Sequence, residues 1–200
     1  EPDGLLALLI PVSPEDVHGT PETTLGLRAL PVAELLSDAI HLAETRIVAR
    51  GDGATSLYRW LLTTLCQITT AAASGLMRSA HRTALQYTAE RYQGGKQIID
   101  HSHLQTILGA MGAQCVAAEG AVLASTSRPE DTRRALAAKI TATEAALACC
   151  TDAVQLLGGY GYMRDYGLER AMRDAAMLGL LPVSNARAAL WVATDDKANL

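Results

Sequence analysis

ATSLYRWLLTTLCQITTAAASGLMRSAHRTALQYTAERY, residues 54–92, runs without a proline and with a single interior glycine, Gly75. Proline inside a helix removes a hydrogen bond and clashes with the preceding turn, so a stretch this long without one is free to form one long helix. The proline map of the whole chain makes the same point. Five of the seven prolines fall in the first 31 residues, the next is Pro129 and the last is Pro182. Residues 32–128 can therefore hold long helices, and the first 31 cannot.

Working outward, a second helix is expected to start near Ser102, a favourable N-cap type. Its apolar stripe is Leu104, Ile107, Leu108, Met111, Cys115, Ala118 and Val122, at steps of three and four. Ser127-Arg128-Pro129-Glu130 reads as the next start, with Pro129 near the first turn. That helix should run to about Leu157, where Gly158-Gly159 ends it. A last helical section runs from about Asp165, interrupted near Pro182, to about Thr194. Three long helices and a broken fourth predict a mainly α fold, a four-helix up-down bundle over residues 51–200.

Residues 1–50 read differently. Leu5-Leu6-Ala7-Leu8-Leu9-Ile10-Pro11 is a short apolar run ended by proline and fits a buried strand. Residues 32–49 offer one or two more, with Ile40, Leu42, Ile47 and Val48 as apolar positions. So few strands do not make a stable sheet alone, so the rest of the sheet is expected to lie outside this sequence. The start at Glu1-Pro2-Asp3-Gly4, with no initiator Met and no basic n-region, reads as a fragment or processed chain with no signal peptide.

Composition narrows the function classes. The chain is 49% hydrophobic but only 4% aromatic, with no Phe, so its core is aliphatic. Charged residues make up 19% and the net charge is −4, with no basic stripe of the kind nucleic-acid binding needs. No 18-residue run is free of charged and polar groups, so no membrane span is expected. Low charge and high alanine fit a helical surface covered by a neighbour, hence an oligomer, although alanine-rich composition gives the same numbers. Cys66, Cys115, Cys149 and Cys150 form no CxxC pair and lie in apolar helical segments, as buried reduced thiols of a cytoplasmic protein would.

Two segments can carry chemistry. Glu90-Arg91-Tyr92-Gln93-Gly94-Gly95-Lys96 lies between two long helices, followed by Asp100-His101. Arg91 and Lys96 could hold an anionic phosphate, and the paired glycines let a ligand approach the backbone; spacing alone favours a plain helix-helix loop with exposed charges. Gln155-Leu156-Leu157-Gly158-Gly159-Tyr160-Gly161-Tyr162 has three glycines in four residues, flanked by tyrosines. It is either a C-cap with a tight turn or a close-approach surface for a flat ligand or a partner backbone. Neither segment is a dinucleotide fingerprint or a phosphate-binding P-loop. Glu169 and Arg173 are spaced to pair on one helix face, as are Arg170 and Asp174. His81, His101 and His103 have no metal-ligand spacing, so no metal site is expected, and no Ser/His/Asp arrangement is legible.

Taken together, Tyr87 to Lys96, Ala138-Lys139 with Glu144, Gln155 to Tyr162, Arg164-Asp165-Tyr166, Glu169-Arg170 and Arg173-Asp174-Ala175 resemble the acyl-CoA dehydrogenase family in order and spacing over about residues 80–185. Leu5 to Pro11 and Gly51-Asp52-Gly53-Ala54 resemble the end of that family's central β-domain, which residues 1–50 would then partly supply. The resemblance implies an FAD flavoprotein, dimeric or tetrameric, that oxidises an acyl-CoA thioester at its α,β carbons and passes electrons to an electron-transfer flavoprotein. It implies that Arg91 contacts the FAD pyrophosphate, with Gln93 and His101 nearby. Gln155, Gly158 and Gly159 would meet the adenine half of a flavin held mostly by another subunit.

The sequence also departs from the family. Gly94 stands where an aromatic residue is usual. The reaction needs a carboxylate to remove the α-proton. At the usual position, eight residues after Asp174, stands Pro182, and Ser184 follows where the family offers a threonine hydroxyl to the cofactor. At the alternative position, about 26 residues before Arg91, stands Leu65, beside Cys66. Residues 54–89 contain no Asp or Glu at all. No catalytic residue is therefore assigned. The resemblance then also admits a catalytically silent subunit of a hetero-oligomer, or a flavin monooxygenase on the same fold.

Overall fold

The computed structural model of the chain describes residues 5–9, 18–36 and 47–198. The proline-free stretch is one helix: α1, Gly51–Glu90, 40 residues long, about 60 Å from end to end at 1.5 Å per residue. A hairpin of β5 (Tyr92–Gln93) and β6 (Lys96–Gln97) follows, then one 3-10 turn, Ile98–Asp100. Next come α2 (Ser102–Thr126), α3 (Thr132–Leu157), the single-turn α4 (Gly159–Tyr162), α5 (Leu168–Leu178) and α6 (Asn185–Ala198). Before α1 stand four short strands: β1 (Leu6–Leu8), β2 (His18–Pro21), β3 (Ala33–Leu36) and β4 (Ile47–Arg50). β1 pairs antiparallel with β4, and β2 with β3. The expected mainly α bundle preceded by a short β segment is what the chain forms.

Details differ from the reading of the sequence. Ser102 is the first residue of α2 rather than its cap. Pro129 lies in the turn before α3; Asp131 caps that helix, accepting the Arg134 N–H at 2.9 Å. A carboxylate at the N-cap outcompetes the proline as a start signal because it satisfies an orphan donor and favours the positive end of the helix dipole. β2 was not expected, since a strand ending in proline gives no alternation to read. Ile10, Pro11, Ile40 and Leu42 fall outside the described residues.

The long helices pack through small residues. Ala73, Ala80 and Ala84 of α1 and Ala142, Ala146 and Ala153 of α3 are essentially inaccessible, with Met77 and Met111 filling between them. Alanine at the contact lets helix axes approach closely, and methionine fits the remaining irregular gaps. Buried threonines cost little here because their hydroxyls donate one turn back: Thr70 to the Cys66 carbonyl at 2.7 Å, Thr88 to Ala84 at 2.8 Å, Thr143 to Lys139 at 2.8 Å. The predicted stripe of α2 buries Leu108, Met111, Cys115 and Ala118, with Leu104, Ile107 and Val122 partly covered. By length and composition α2 could also cross a membrane; its stripe against α1 and α3 is that of a bundle helix. A smaller second core joins Leu62, Cys66, Leu136 and Ala188, with Val183 packed on it.

The loop between β2 and β3 is tied to α5 by a seam of hydrogen bonds. Arg173 on α5 donates to the Leu25 carbonyl at 2.9 Å, and Asp174 Oδ1 accepts the Leu27 N–H at 2.6 Å. Gly26 sits between them: a Cβ there would lie 2.0 Å from the Arg173 carbonyl oxygen, so only glycine fits. The Glu169–Arg173 pair forms as its spacing predicts, at 3.2 Å. Asp174 turns instead to the Leu27 backbone, which offers a fixed N–H where Arg170 offers a long flexible side chain.

Candidate functional site

α1 ends at Glu90, and Arg91 follows in extended conformation, its N–H still bonded to the Tyr87 carbonyl at 2.9 Å. The chain then doubles back as the β5–β6 hairpin, with Gly94 and Gly95 both at positive φ, the turn type that two-residue hairpins favour. α3 ends at Gly158, whose φ of +58° breaks the helix and starts α4 at an angle. These two chain reversals face each other. Between them runs a groove of about 520 Å³ lined by Tyr87, Arg91, Gln93, Gln155, Gly158, Gly159 and Tyr160, among others. The segments are more than 60 residues apart in the chain, and the bundle brings them to one end.

Five of the predicted site residues thus share one surface: Arg91, Gln93, Gln155, Gly158 and Gly159. Among the described residues no carboxylate pairs with the Arg91 guanidinium; it lies over the Tyr160 ring, 5.8 Å from the centroid. A Cβ added at Gly158 or Gly159 would meet nothing within 4 Å, so the groove floor there is bare backbone open to a ligand. An unneutralised cation beside exposed backbone suits an anionic group such as a phosphate.

The other predicted residues lie elsewhere. His101 sits behind the hairpin: its Nε2 is 3.1 Å from the Gln93 carbonyl, and its ring lies 3.2 Å from where a Gly94 Cβ would be. It supports the hairpin from behind without lining the groove. Lys96 turns its ammonium to the Asp100 carbonyl and takes no part in the groove. Ser184 is at the far end of the molecule's last turn, where its hydroxyl oxygen caps α6 by accepting the Arg187 N–H at 3.3 Å. Among the described residues no group of three His, Cys, Asp or Glu could hold a metal.

A second arrangement was not foreseen. Lys139 is fully buried in α3, and its ammonium donates to the Gly179 carbonyl at 2.9 Å, the Val183 carbonyl at 2.6 Å and Asn185 Oδ1 at 2.7 Å. Asn185 is held further by Thr143 at 3.1 Å. Burial pushes the Lys139 ammonium down to about 8, against the pull of Cys66 and Glu144. This buried cation ties down the turn that carries Pro182. The signal was present in the spacing: Lys139 falls in line with Ala135, Ala142, Ala146 and Ala153 on the buried stripe. Val183 packs on the cluster of Leu62 and Cys66, so the Pro182 turn meets the part of α1 that holds Leu65. The four thiols are free and buried. Burial raises each, Cys66 to about 11 and Cys150 to about 12, so none is a ready nucleophile.

Fold and site together define a class: an antiparallel helical bundle that presents an anion-receptive groove at one end and a lysine-fastened turn carrying an apolar residue at the other. Comparison with known proteins makes the class specific. The family model described as acyl-CoA dehydrogenase, C-terminal domain, matches residues 58–181, and the chain belongs to that family. It is 31% identical over 182 residues to a cyclohex-1-ene-1-carbonyl-CoA dehydrogenase of Syntrophus aciditrophicus, covering 86% of this chain and 43% of that protein. It is 33% identical over 175 residues to a probable acyl-CoA dehydrogenase of Mycobacterium leprae, covering 84% of this chain and 44% of that one. The butyryl-CoA dehydrogenase structure from Megasphaera elsdenii superposes with a TM-score of 0.86 at 27% identity, over 96% of this chain and 51% of its own. The chain thus spans about half the length of the relatives it matches.

Proposed function

We propose that this chain is the flavin-contacting, subunit-joining part of an FAD-dependent oxidoreductase that acts on an acyl-CoA thioester by α,β-oxidation. The groove carries the reading: Arg91 has no carboxylate partner among the described residues and stands beside the open backbone of Gly158 and Gly159. These residues fit FAD. Arg91 would pair with a pyrophosphate oxygen, the Gln93 and Gln155 amides would offer donors and acceptors at the rim, and the glycines would admit the adenine half. When bound, the flavin supplies the hydride acceptor. His101 would keep the hairpin in place behind Gln93, and Ser184 would offer its hydroxyl hydrogen from the α6 cap. In this reading residues 1–50 are the end of a central β-domain and residues 51–200 the bundle. The protein is a cytoplasmic dimer or tetramer with an electron-transfer flavoprotein as redox partner.

Neither base position in this stretch carries a carboxylate. A second reading therefore has its own observation: with Pro182 and Leu65 apolar and the groove intact, the chain is a catalytically silent subunit that completes the flavin site of an active paralogue. A flavin monooxygenase on this fold would also dispense with the glutamate. An anaerobic titration of the full-length, flavin-loaded protein with a panel of acyl-CoAs, followed by flavin absorbance, separates these. The expected result is bound flavin that stays oxidised in the absence of a partner chain. Bleaching would mean an active dehydrogenase whose base lies outside these positions. Failure to bind FAD at all would refute the flavin reading.

A further inference from the structure

We propose that Tyr160 is a positioning residue for the groove: its ring holds the Arg91 guanidinium toward the anion site without neutralising it. The proposal rests on the flavin reading above. Arg91 has a long, mobile side chain, and pinning it on ligand binding costs rotamer entropy unless something holds it beforehand. Arginines that must stay ordered are usually held by a carboxylate, which also cancels their charge. Here the partner is a ring, with the guanidinium carbon 5.8 Å from its centroid, within cation–π range. A π face orders the cation and leaves its N–H fork free for a phosphate.

Tyr160 can do this because it is itself fixed. Its ring packs at 6.0 Å from Tyr87 and 6.3 Å from Tyr166, and those two meet edge-on at 5.5 Å. The three rings close a triangle between the end of α1, the α4 turn and the segment before α5. One residue on, Gly161 lies so close to α3 that a Cβ would sit 2.3 Å from the Val154 carbonyl oxygen, so the α4 turn has no slack. Tyr160 is nonetheless 49% exposed and lines the groove. The arginine on one wall and the glycine turn on the other are thereby set by one contact.

The test is a set of FAD-binding titrations on the full-length apoprotein, with ADP as a second probe that keeps the pyrophosphate and lacks the flavin ring. Y160F keeps the ring and should bind both within about twofold of wild type. Y160L and Y160Q remove it and should weaken both by about three- to tenfold. In R91A, adding Y160L should cost nothing more, because the ring acts through the arginine. Equal weakening by Y160F and Y160L, or additive losses in the double variant, would overturn the proposal while leaving the flavin reading standing. Unchanged FAD affinity in R91A would overturn the proposal by taking Arg91 out of the flavin site, whereas no FAD binding by the wild type would bring down the flavin reading itself. Y160F and Y160Q make the same comparison if Y160L melts early.

Discussion

Two cations sit at two ends of this bundle and meet opposite fates. Arg91 leaves α1 into an open groove, touches one ring and keeps its charge available. Lys139 is sealed in α3 and spends all three of its donors on Gly179, Val183 and Asn185. The first is placed to meet something outside the chain, and the second to hold the chain's own turn. The difference teaches that a buried charge with every donor satisfied inside the chain is a structural fastener, whereas a partly exposed charge with no carboxylate partner among the described residues, beside bare backbone, is the candidate for binding.

The largest expected effect tests the fastener. K139M should lower stability by roughly 2–4 kcal/mol in urea unfolding, since it removes a buried charge-assisted donor from the Gly179 and Val183 carbonyls and from Asn185 Oδ1. If stability is unchanged, Lys139 is not what holds the Pro182 turn. R91A should show the reverse pattern. Its unfolding midpoint should stay within about 0.5 kcal/mol of wild type, while FAD affinity falls roughly tenfold or more. A loss of stability without a loss of affinity would erase the contrast between the two ends.

Alkaline pH sharpens the comparison. The buried thiols hold their protons above the ordinary value of 9, Cys66 to about 11 and Cys150 to about 12. The unfolded chain therefore releases protons first, and stability falls as pH rises through 9. Lys139, lowered to about 8 from 10.5, works the other way: the folded state releases its proton first, so its term adds stability between pH 8 and 10.5. Each such group contributes up to about 1.4 kcal/mol per pH unit. Reduced wild-type protein should lose stability between pH 9 and 10, and K139M should lose it more steeply. An equal slope in the two would show that Lys139 does not titrate in this range. The smallest effect is expected at the groove wall: H101A should cost about 0.5–1 kcal/mol, the worth of one hydrogen bond to Gln93, with a correspondingly small change in FAD affinity.

Much of the bundle could be read in advance because its helices obey periodicity: Leu108, Met111, Cys115 and Ala118 are buried as their spacing demanded. What misled was local competition. Pro129 looked like the start of α3, but Asp131 holds the cap because its carboxylate can accept a backbone N–H. Lys96 looked like a phosphate ligand until the hairpin turned it to Asp100. The groove itself could not be derived from spacing, since Arg91 and Gln155 meet only through the packing of α1 on α3. Spacing likewise did not show that the Ser184 hydroxyl caps α6 or that the His101 ring lies behind the hairpin. Lys139 was visible on the alanine stripe, yet a lysine among alanines reads as a solvent-facing residue unless the whole stripe is followed.

The seam at Gly26 bears on the order in which the molecule is made. The Leu27 N–H and the Asp174 carboxylate that accepts it are 147 positions apart. At ribosomal speeds of about 5–20 residues per second, the loop emerges several seconds to half a minute before its partner exists. Until α5 is synthesised, the Leu27 N–H has no carboxylate to meet, and the loop keeps only local bonds such as Thr24 to the Gly26 carbonyl and Leu30 to the Leu27 carbonyl. Docking of the loop is thus a late event in biogenesis, and a ribosome stalled before Arg173 would carry a bundle still missing its clasp.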